Sequence, residues 1–545
     1  LISRYHSQIM ELTPSNSIPA SFRDLNVLVT GGTGFMGKVL MEKLLRSCPE
    51  LRHIYLIIRE KKGKALNQRL DDIFQDPLFS VLEKEQPKYR HKVSGIAGDM
   101  AAKGLSLKPE DRDRLTQEVD VVFHGAATVR FDEKIRIAYN INIRGTKEML
   151  NLAKDMNNLK AFIHISTAYA NCNRKDIDEK VYEPPISHES ITEIMEAIKN
   201  DEMLEVMLPR LLGDWPNTYA YTKAIAENVV KELGSDLPLR IFRPAIVVGT
   251  AYEPLIGWTD NVYGPTGLVM GVGCGVIRTF QADLKAIANC VPVDMSVSAL
   301  IAVAWETIID KNKNIKRIKN SEITTEEQNM NKRNNTAQFD EINKKNENEP
   351  PVYNYVSSVE KPLTWNDFKH YIEFHGASVP TIRCMWYYCL IVTRTKLAHY
   401  VCLYLLHYLP ALLIDGVIKL MRKEGVNLFQ IYKKIDKFSS VLSYFSTQSW
   451  KFSNQRVQSL WDRLSPEDKQ VFQFNMKELD WDRFFYNYIR GIRVYLVKDD
   501  LSTLPQAMIR WKRFYWAHQF LKLIFFYIAF RILWATISAS YSYLV

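Results

Sequence analysis

The first half of the chain alternates short apolar runs with longer amphipathic stretches. Buried strands read as short continuous apolar runs, and a helix that faces a core repeats its apolar residues about every 3.6 positions. Parallel strands need a crossover between them, so this alternation predicts an α/β fold, a doubly wound parallel sheet with helices on both faces. The predicted strands are Leu25–Thr30, His53–Ile58, Lys92–Ala97, Val119–His124, Ala161–Ile165, Leu239–Phe242 and, much later, Val352–Ser357.

The clearest helical patterns between these strands are Arg136–Met156 and Tyr219–Leu233. One connection, from Thr167 to Tyr219, is longer than a strand-to-helix link requires and contains a helical stretch at Ile191–Leu212. We expect this connection to form the wall or the lid of a pocket.

Composition divides the 545 residues further, since the chain is too long for one ordinary domain. The Lys/Asn/Glu-rich segment at 311–350 cannot bury enough apolar surface to fold alone and is predicted to be a disordered insertion. The predicted order is an N-terminal tail at 1–22, an α/β domain at 23–372, a mostly helical C-terminal domain at 373–513 and an apolar segment at 514–545.

Two late segments, Cys384–Met421 and Phe514–Val545, are dense in aromatic and aliphatic residues. A spanning helix needs about 20 mostly apolar residues. The second segment carries only Lys522 and Arg531 in its apolar part and has aromatic residues at its edges, so membrane association is favoured there. For Leu397–Ile414, a buried helix and a membrane contact stay equally open.

Charge and cysteine content exclude several classes of function. The net charge of +10 is modest, and the basic residues form no block with aromatics, which argues against nucleic-acid binding. The seven cysteines show no paired spacing, which predicts no disulfide framework, no metal site and a reducing compartment. Leu1–Phe22 lacks an apolar core, so no signal peptide is expected there.

A glycine-rich turn follows the first predicted strand and opens a helix. Gly31 permits the turn, Gly34 lets a pyrophosphate approach the backbone, and Gly37 lets the helix pack closely on the strand. This context predicts a dinucleotide whose phosphates meet the N–H groups of the helix N-terminus. The candidate contacts in this turn are Thr30, Gly31, Thr33, Gly34, Phe35, Met36 and Gly37.

The residues after the next strands indicate which dinucleotide is bound. An Asp or Glu after the second strand selects NAD, whereas Arg59 suits a 2′-phosphate and favours NADP(H), although Glu60 follows it. Asp99 is placed to meet the adenine. Ala126 and Ala127 are small enough to let the cofactor cross the end of their strand.

The candidate catalytic group is a Tyr-x-x-x-Lys pair with a hydroxyl. Tyr219 and Lys223 lie one helical turn apart, and a nearby ammonium favours the phenolate, which brings the Tyr219 hydroxyl into working range. Lys223 can also hold the nicotinamide ribose. Ser166 and Thr167 follow the fifth strand, where open α/β sheets bind ligands, and Thr167 is preferred over Ser166 as the catalytic hydroxyl.

Many motifs in the same order resemble the animal fatty acyl-CoA reductases, a branch of the extended short-chain dehydrogenase/reductases with a Rossmann-type sheet. The resemblance covers nearly the whole chain apart from the first two dozen residues and the Lys/Asn insertion. Gly32, where the family often has Ala, is a small departure. The matching motifs are Thr30–Lys38, His124–Ala127, Asn142–Thr146, Ser166–Tyr169, Asn217–Glu227, Arg243 with Pro244, Glu253–Asp260, Gly264 with Pro265, Val291–Asp294, Trp450–Phe452 and Phe472–Arg493.

The resemblance implies a two-round reduction of a long-chain fatty acyl-CoA by NADPH, through an aldehyde, to a primary alcohol. Tyr219 and Thr167 would steady the oxyanion, and Tyr219 would protonate the alkoxide. The resemblance also implies a membrane-lipid partner and an intracellular membrane, either the endoplasmic reticulum or the peroxisome. It leaves open whether the chain forms a homo-oligomer.

Two other functions compete with this one. A membrane-associated hydroxysteroid-type dehydrogenase shares Tyr219 and Lys223 but does not predict the aromatic C-terminal domain. A non-catalytic NADP-sensing scaffold would keep the fold, but the intact Thr167, Tyr219 and Lys223 argue against it.

Overall fold

The apolar runs of the first half form one parallel sheet. In the computed structural model, which describes residues 16–60, 63–328, 349–421 and 427–544, seven strands pair in parallel. The seven predicted strands are confirmed, with ends that differ by one or two residues. From one edge to the other they are Val352–Tyr355, Leu239–Pro244, Ala161–Ile165, Val121–His124, Asn26–Thr30, His53–Ile58 and Val93–Ala97.

The strand order reverses beside Asn26–Thr30, which pairs with Val121–His124 on one side and His53–Ile58 on the other. Thr30 lies opposite His124 in this register, and His124 lies opposite His164 on the next strand. The carboxyl ends of these strands therefore meet at one edge, and such a switch point is where open α/β sheets bind ligands.

Helices cover the sheet, and its strand residues are therefore almost all buried. The predicted helix Arg136–Met156 contains a widened turn, Tyr139–Arg144, between its two regular parts. The principal helices around the sheet are Phe35–Ser47, Leu66–Phe74, Ser80–Glu85, Pro109–Glu118, Ile135–Ala138, Gly145–Lys154, His188–Ala197, Asp201–Leu212, Thr218–Leu233, Val293–Gln328, Gln455–Asp462 and Pro466–Val471.

The chain divides into two compact units that alternate along the sequence, which differs from the predicted consecutive domains at 23–372, 373–513 and 514–545. The first unit contains the described residues of 1–256, 287–363 and 449–479, and the second contains those of 257–286, 364–448 and 480–545. Residues 449–479 belong with the sheet because the short strand Lys451–Phe452 pairs with Asp176–Ile177.

The second unit is mostly helical, as predicted. Two short strands, Thr279–Gln281 and Ile391–Thr393, pair with each other within it. Its helices are Pro265–Gly273, Trp365–Ser378, Lys396–Leu403, Tyr404–Tyr408, Leu409–Leu420, Leu428–Ser446, Trp481–Gly491, Ile492–Leu496, Leu501–Thr503 and Leu504–Leu544.

Part of the predicted N-terminal tail is structured. The helix Ile18–Ser21 buries Ile18, and Phe22 behind it is buried as well. The Ile18 N–H donates to both carboxylate oxygens of Asp468, at 3.2 Å each. Residues 16–22 therefore pack onto the first unit, and the rest of the predicted tail lies outside the described residues.

Part of the predicted disordered insertion is helical in the structure. The helix Val293–Gln328 continues into it through residue 328. The buried first half of this helix provides the nucleus, and adding further residues to an existing helix costs little even when they are polar. The remainder, 329–348, lies outside the described residues.

Two helices of the second unit are long and apolar enough to cross a membrane, by length and composition. They are Lys396–Leu420 and Leu501–Tyr541, each with a mean hydropathy of 1.8 in its most apolar window. Of that window, 17% is buried in the first helix and 0% in the second, although the start of the second helix packs on its own unit through Ala507, Arg510 and Trp511.

Candidate active site

The glycine-rich turn has the shape of a phosphate cradle. Gly31 has a φ of +77°, and a Cβ there would lie 2.8 Å from the Ala126 nitrogen. A Cβ on Gly37 would lie 2.3 Å from the Gly31 oxygen, which a backbone cannot accommodate. Gly34 precedes the helix Phe35–Ser47, and no described side chain caps that helix. A helix that begins at such a turn can bind an anion at its N-terminus, which fits the pyrophosphate of a dinucleotide.

The predicted contacts in the turn differ in exposure. Thr33 and Gly34 are exposed, whereas Phe35 and Met36 are partly buried. Thr30 is buried, so its side chain is a support of the turn rather than a direct contact.

Thr30 holds the turn through a hydrogen-bonded chain that sequence reasoning missed. The Ala126 N–H donates to the Thr30 hydroxyl (3.1 Å), which lies 2.8 Å from His124 Nδ1. His124 Nε2 lies 3.0 Å from the Thr146 hydroxyl, which itself donates to the Asn142 carbonyl at 2.7 Å. Because the Thr146 hydroxyl gives its proton to the Asn142 carbonyl, its oxygen accepts from the Nε2–H of His124. The Nδ1 of His124 then carries no proton and accepts from the Thr30 hydroxyl. This assignment requires a neutral ring, and burial lowers the pKa of His124 to about 3.

The remaining predicted cofactor contacts lie around this edge. Ala126 and Ala127 are partly exposed at the end of their strand. Arg59 is exposed directly after the second strand, and the Arg69 guanidinium donates to its carbonyl. Asp99 accepts a hydrogen bond from the Ala101 N–H (2.9 Å), so part of its carboxylate already holds its own loop.

The structure brings the predicted catalytic hydroxyls together. Tyr219 is partly buried, and the buried Thr167 hydroxyl is close enough to lower the pKa of its phenol. Thr167 also accepts from the Tyr169 N–H at 3.2 Å. Ser166 is buried, and its hydroxyl has no hydrogen-bond partner among the described residues. Thr167, rather than Ser166, is thus the hydroxyl that contacts Tyr219.

Burial shifts the pKa values of Lys223 and Tyr219 in opposite directions. Its ammonium donates to the Ile165 carbonyl at 2.7 Å, and burial lowers its pKa to about 8 against the opposing effect of Glu227. Burial raises the pKa of Tyr219 to about 12, and only the Thr167 hydrogen bond opposes this rise. Lys223 is not among the groups that shift the Tyr219 pKa in the cofactor-free chain, so its activation of the Tyr219 hydroxyl stays a prediction.

Two further contacts hold the helix Thr218–Leu233 that carries both groups. Asn142, in the widened turn, donates to the Thr222 hydroxyl (2.9 Å) and accepts from the Thr128 N–H (2.9 Å). Glu227 binds the guanidinium of Arg243 through two hydrogen bonds of 2.8 and 2.6 Å. Both motifs stood out in the sequence, but their partners lie 14 to 80 residues away and carry no local signal.

No cysteine is needed to explain this site. All seven cysteines are free, as predicted. Cys172, which follows the active strand, is buried, and burial raises the pKa of Cys290 to about 12. A thiol in such surroundings stays protonated and is a poor nucleophile.

Two family models and several relatives match this chain. A family model described as male sterility protein, of the NAD-binding kind, matches residues 29–300, and a second one with the same description matches 406–499. Fatty acyl-CoA reductase wat of Drosophila melanogaster is 37% identical over 96% of this chain and 94% of its own. Fatty acyl-CoA reductase 1 of Homo sapiens is 34% identical over 90% of this chain and 88% of its own.

Solved structures support the fold alone. The reductase domain of a nonribosomal peptide synthetase from Mycobacterium tuberculosis superimposes with a TM-score of 0.54 at 15% identity, covering 89% of this chain and 97% of that domain. The terminal reductase domain of the myxalamid biosynthetic pathway gives 0.52 at 17% identity, covering 87% and 92%. With relatives above 30% identity along nearly its full length, the chain belongs to the fatty acyl-CoA reductase family.

Proposed function

We propose that this protein reduces long-chain fatty acyl-CoA to the primary fatty alcohol with release of CoA, using NADPH. The observation that carries the proposal is the Thr167–Tyr219–Lys223 group beside the glycine cradle, in a chain of this family. Per alcohol, the reaction takes two NADPH and two protons and releases two NADP⁺ and one CoA.

The hydroxyls of Tyr219 and Thr167 would bind the thioester carbonyl oxygen and stabilise the negative charge that develops on it. NADPH supplies the hydride when it is bound. Collapse of the tetrahedral adduct breaks the C–S bond, and the thiolate of CoA leaves and takes up a proton. Tyr219 and Thr167 then hold the aldehyde oxygen in the same way, and Tyr219 gives its proton to the alkoxide.

Lys223 has a role in both rounds. A Tyr219 pKa of about 12 suits a group that must arrive protonated and give its proton to a more basic alkoxide. Lys223 would hold the nicotinamide ribose and, as an ammonium, ease the loss of the Tyr219 proton. Its bond to the Ile165 carbonyl keeps it in place until the cofactor arrives.

Arg59 supports NADPH rather than NADH. Its exposed guanidinium follows the second strand, where the ribose 2′-substituent lies in this fold. We expect Arg59→Ala to raise the KM for NADPH about tenfold or more and to leave the KM for NADH nearly unchanged. Equal effects on both cofactors would contradict the assignment.

The long connection before Tyr219 supports an acyl-binding role. Its helices His188–Ala197 and Asp201–Leu212 are fastened by Arg136, which donates to the carbonyls of Met195 and Ile198. The second helix exposes Val206, at 82% of its surface. Val206→Glu should reduce kcat/KM more for long than for short acyl-CoAs, and an equal loss for all lengths would contradict the role.

A membrane location is supported by the C-terminal helix. From Phe520 to Tyr541 its side chains are exposed, over a length of about 33 Å at ~1.5 Å per residue, close to the ~30 Å of a hydrocarbon core. The proposal puts the protein on an intracellular membrane, the endoplasmic reticulum or the peroxisome. Fractionation of the tagged full-length protein decides between the two.

The deciding assay uses the purified full-length protein with a panel of acyl-CoAs. Two NADPH consumed per alcohol support the proposal, and aldehyde as the sole product contradicts the second round. Tyr219→Phe should abolish alcohol formation and leave NADPH binding intact. Oxidation of a sterol alcohol without thiol release would favour the hydroxysteroid-type alternative instead.

A further inference from the structure

The second unit contains a cavity of about 230 Å³. The helices Pro265–Gly273, Trp365–Ser378 and Trp481–Gly491 contribute to its wall. Most of the lining is apolar, with Val272, Ile372, Ile489 and Trp511 among its members. Apolar cavities as small as ~150 Å³ stay dry and take up hydrophobic molecules, so this one has room for part of an aliphatic chain.

One charged side chain in the wall is incompletely satisfied. Arg493 lines the cavity and is only 3% exposed. Its Nη2 donates to the Asp500 carbonyl (3.1 Å) and the Thr503 hydroxyl (2.7 Å), and its Nε lies 3.2 Å from Asp499. Both its Nε and its Nη1 lack a hydrogen-bond partner in the part of the chain that the structure describes, so Asp499 pairs with Nε by charge alone. A buried donor without an acceptor is costly, and a ligand oxygen would remove that cost.

The charges around Arg493 select a neutral ligand head. Asp499 already pairs with the guanidinium. Glu373, which also lines the cavity, accepts from Tyr388 at 2.6 Å and pairs with Lys369. A ligand carboxylate would meet both acids as like charges, whereas a hydroxyl oxygen can accept from Arg493 without repulsion.

We propose that this cavity binds a single-chain lipid with a neutral hydroxyl head, that is, a long-chain alcohol. All of its lining residues belong to the second unit, and none is in the Thr167–Tyr219–Lys223 group. The proposal does not rest on the reduction reaction, since it follows from the lining and from the unpaired Arg493 donor.

The test measures binding of radiolabelled hexadecan-1-ol to the full-length protein in detergent, without cofactor. A Cβ on Gly376, which lines the cavity within a helix, would meet nothing within 4 Å, so Gly376→Leu fills the space without a clash. Gly416→Leu is the matched control, because Gly416 is also helical and open but does not line the cavity. Gly376→Leu should bind one alcohol fewer per chain, and Gly416→Leu should bind as the wild type does.

Arg493→Met should weaken binding at this site about tenfold, and hexadecanoate should compete poorly at neutral pH. A melting curve shows whether each variant is folded. Unchanged stoichiometry in folded Gly376→Leu, or hexadecanoate competing as well as the alcohol does, would overturn the proposal. Because no cofactor is present, failure of the reduction assay leaves this result unaffected.

The apolar helix Lys396–Leu420 contacts the rest of the second unit along one face only. Its buried side chains are His399, Leu403, His407 and Ala411, one every four residues, so a single narrow stripe contacts the unit. Most of the remaining surface is apolar and exposed or half-buried, and its charged residues are Lys396, Asp415 and Lys419. Its most exposed members are Leu397, Tyr404, Leu413 and Leu420.

Polar contacts fasten the middle of this helix. The Arg278 N–H donates to His407 Nε2 (2.9 Å), and its guanidinium donates to the Leu406 carbonyl (2.9 Å), which the widened turn Tyr404–Tyr408 makes available. A spanning helix would carry Arg278 to the centre of the bilayer, where a charge is expensive. Arg278 also acts electrostatically on His518, just before the exposed stretch that starts at Phe520. The middle of Lys396–Leu420 therefore lies level with the point where the C-terminal helix leaves the unit.

We infer that Lys396–Leu420 lies in the plane of the membrane interface and does not span the bilayer. Its exposed apolar face would enter the headgroup region, and the exposed Lys433 and Lys434 on the next helix suit anionic lipid heads.

The test labels Arg394→Cys and Lys433→Cys, on either side of this helix, with an impermeant maleimide in sealed vesicles. The native cysteines are buried or partly buried, so the parent protein provides the baseline. An in-plane helix exposes both new thiols on the same side of the vesicle. Labelling of the two from opposite sides would show that the helix spans and would overturn the inference.

Discussion

The pair Glu227–Arg243 makes the active-site helix unusually sensitive to one substitution. Both side chains are buried, at 1% and 0% exposure, and they share two hydrogen bonds. Removing one partner of such a pair leaves an unpaired buried charge and costs about 3–5 kcal/mol. Glu227→Met should therefore lower the thermal midpoint of the purified protein by at least about 5 °C.

The double variant Glu227→Met/Arg243→Met separates charge pairing from packing. Both charges are then gone, so its loss should be several kcal/mol smaller than the sum of the two single losses. Some loss remains, because Arg243 also donates to the carbonyls of Asp178 (3.1 Å) and Lys180 (2.9 Å).

The control is the exposed pair Arg112–Asp155, whose side chains are 36% and 56% exposed. Asp155→Asn should cost less than about 1 kcal/mol. A double variant whose loss equals the sum of the single losses would refute the charge argument, and so would equal midpoints for Glu227→Met and Asp155→Asn.

Three further predictions concern the site itself. Thr167→Val should lower kcat/KM about 100-fold and Ser166→Ala less than tenfold, since only Thr167 contacts Tyr219; steady-state assays with the reverse ranking would contradict this. The pKa of Lys223 is lowered from 10.5 to about 8, so between these pH values the unfolded chain binds more protons. The cofactor-free wild type should therefore gain stability relative to Lys223→Met as pH rises from about 8 to about 10, measured as the difference in melting midpoint. Gly37→Ala should weaken NADPH binding at least tenfold in a fluorescence titration, whereas Gly273→Ala, whose Cβ meets nothing within 4 Å, should bind normally.

The sheet could be predicted because its information is local. A strand buried on both faces is a mostly apolar run, and Asn26–Thr30, His53–Ile58 and Val121–His124 have that form. The glycine turn and the spacing of Tyr219 and Lys223 are local as well. Their meeting at one sheet edge follows from the rule that ligands bind beyond the carboxyl ends of parallel strands.

What the sequence could not reveal depends on partners far away in the chain. The Tyr219 pKa is governed by burial, which no spacing reports. The ammonium of Lys223 bonds to a backbone carbonyl 58 residues earlier, and backbone acceptors have no sequence signature. The two-residue strand Lys451–Phe452 is too short to produce a periodic pattern, so its pairing with Asp176–Ile177 was invisible.

The alternation of the two units has a consequence for synthesis on the ribosome. Val352–Tyr355 is an edge strand, and Asn354 on it donates to the Ser453 carbonyl at 2.9 Å, in the last segment of the first unit. Translation proceeds at about 5–20 residues per second, so roughly 5–20 s separate the two residues. During that interval the nascent sheet has an uncovered edge able to pair with another chain, and a chaperone that shields it should raise the yield of native protein.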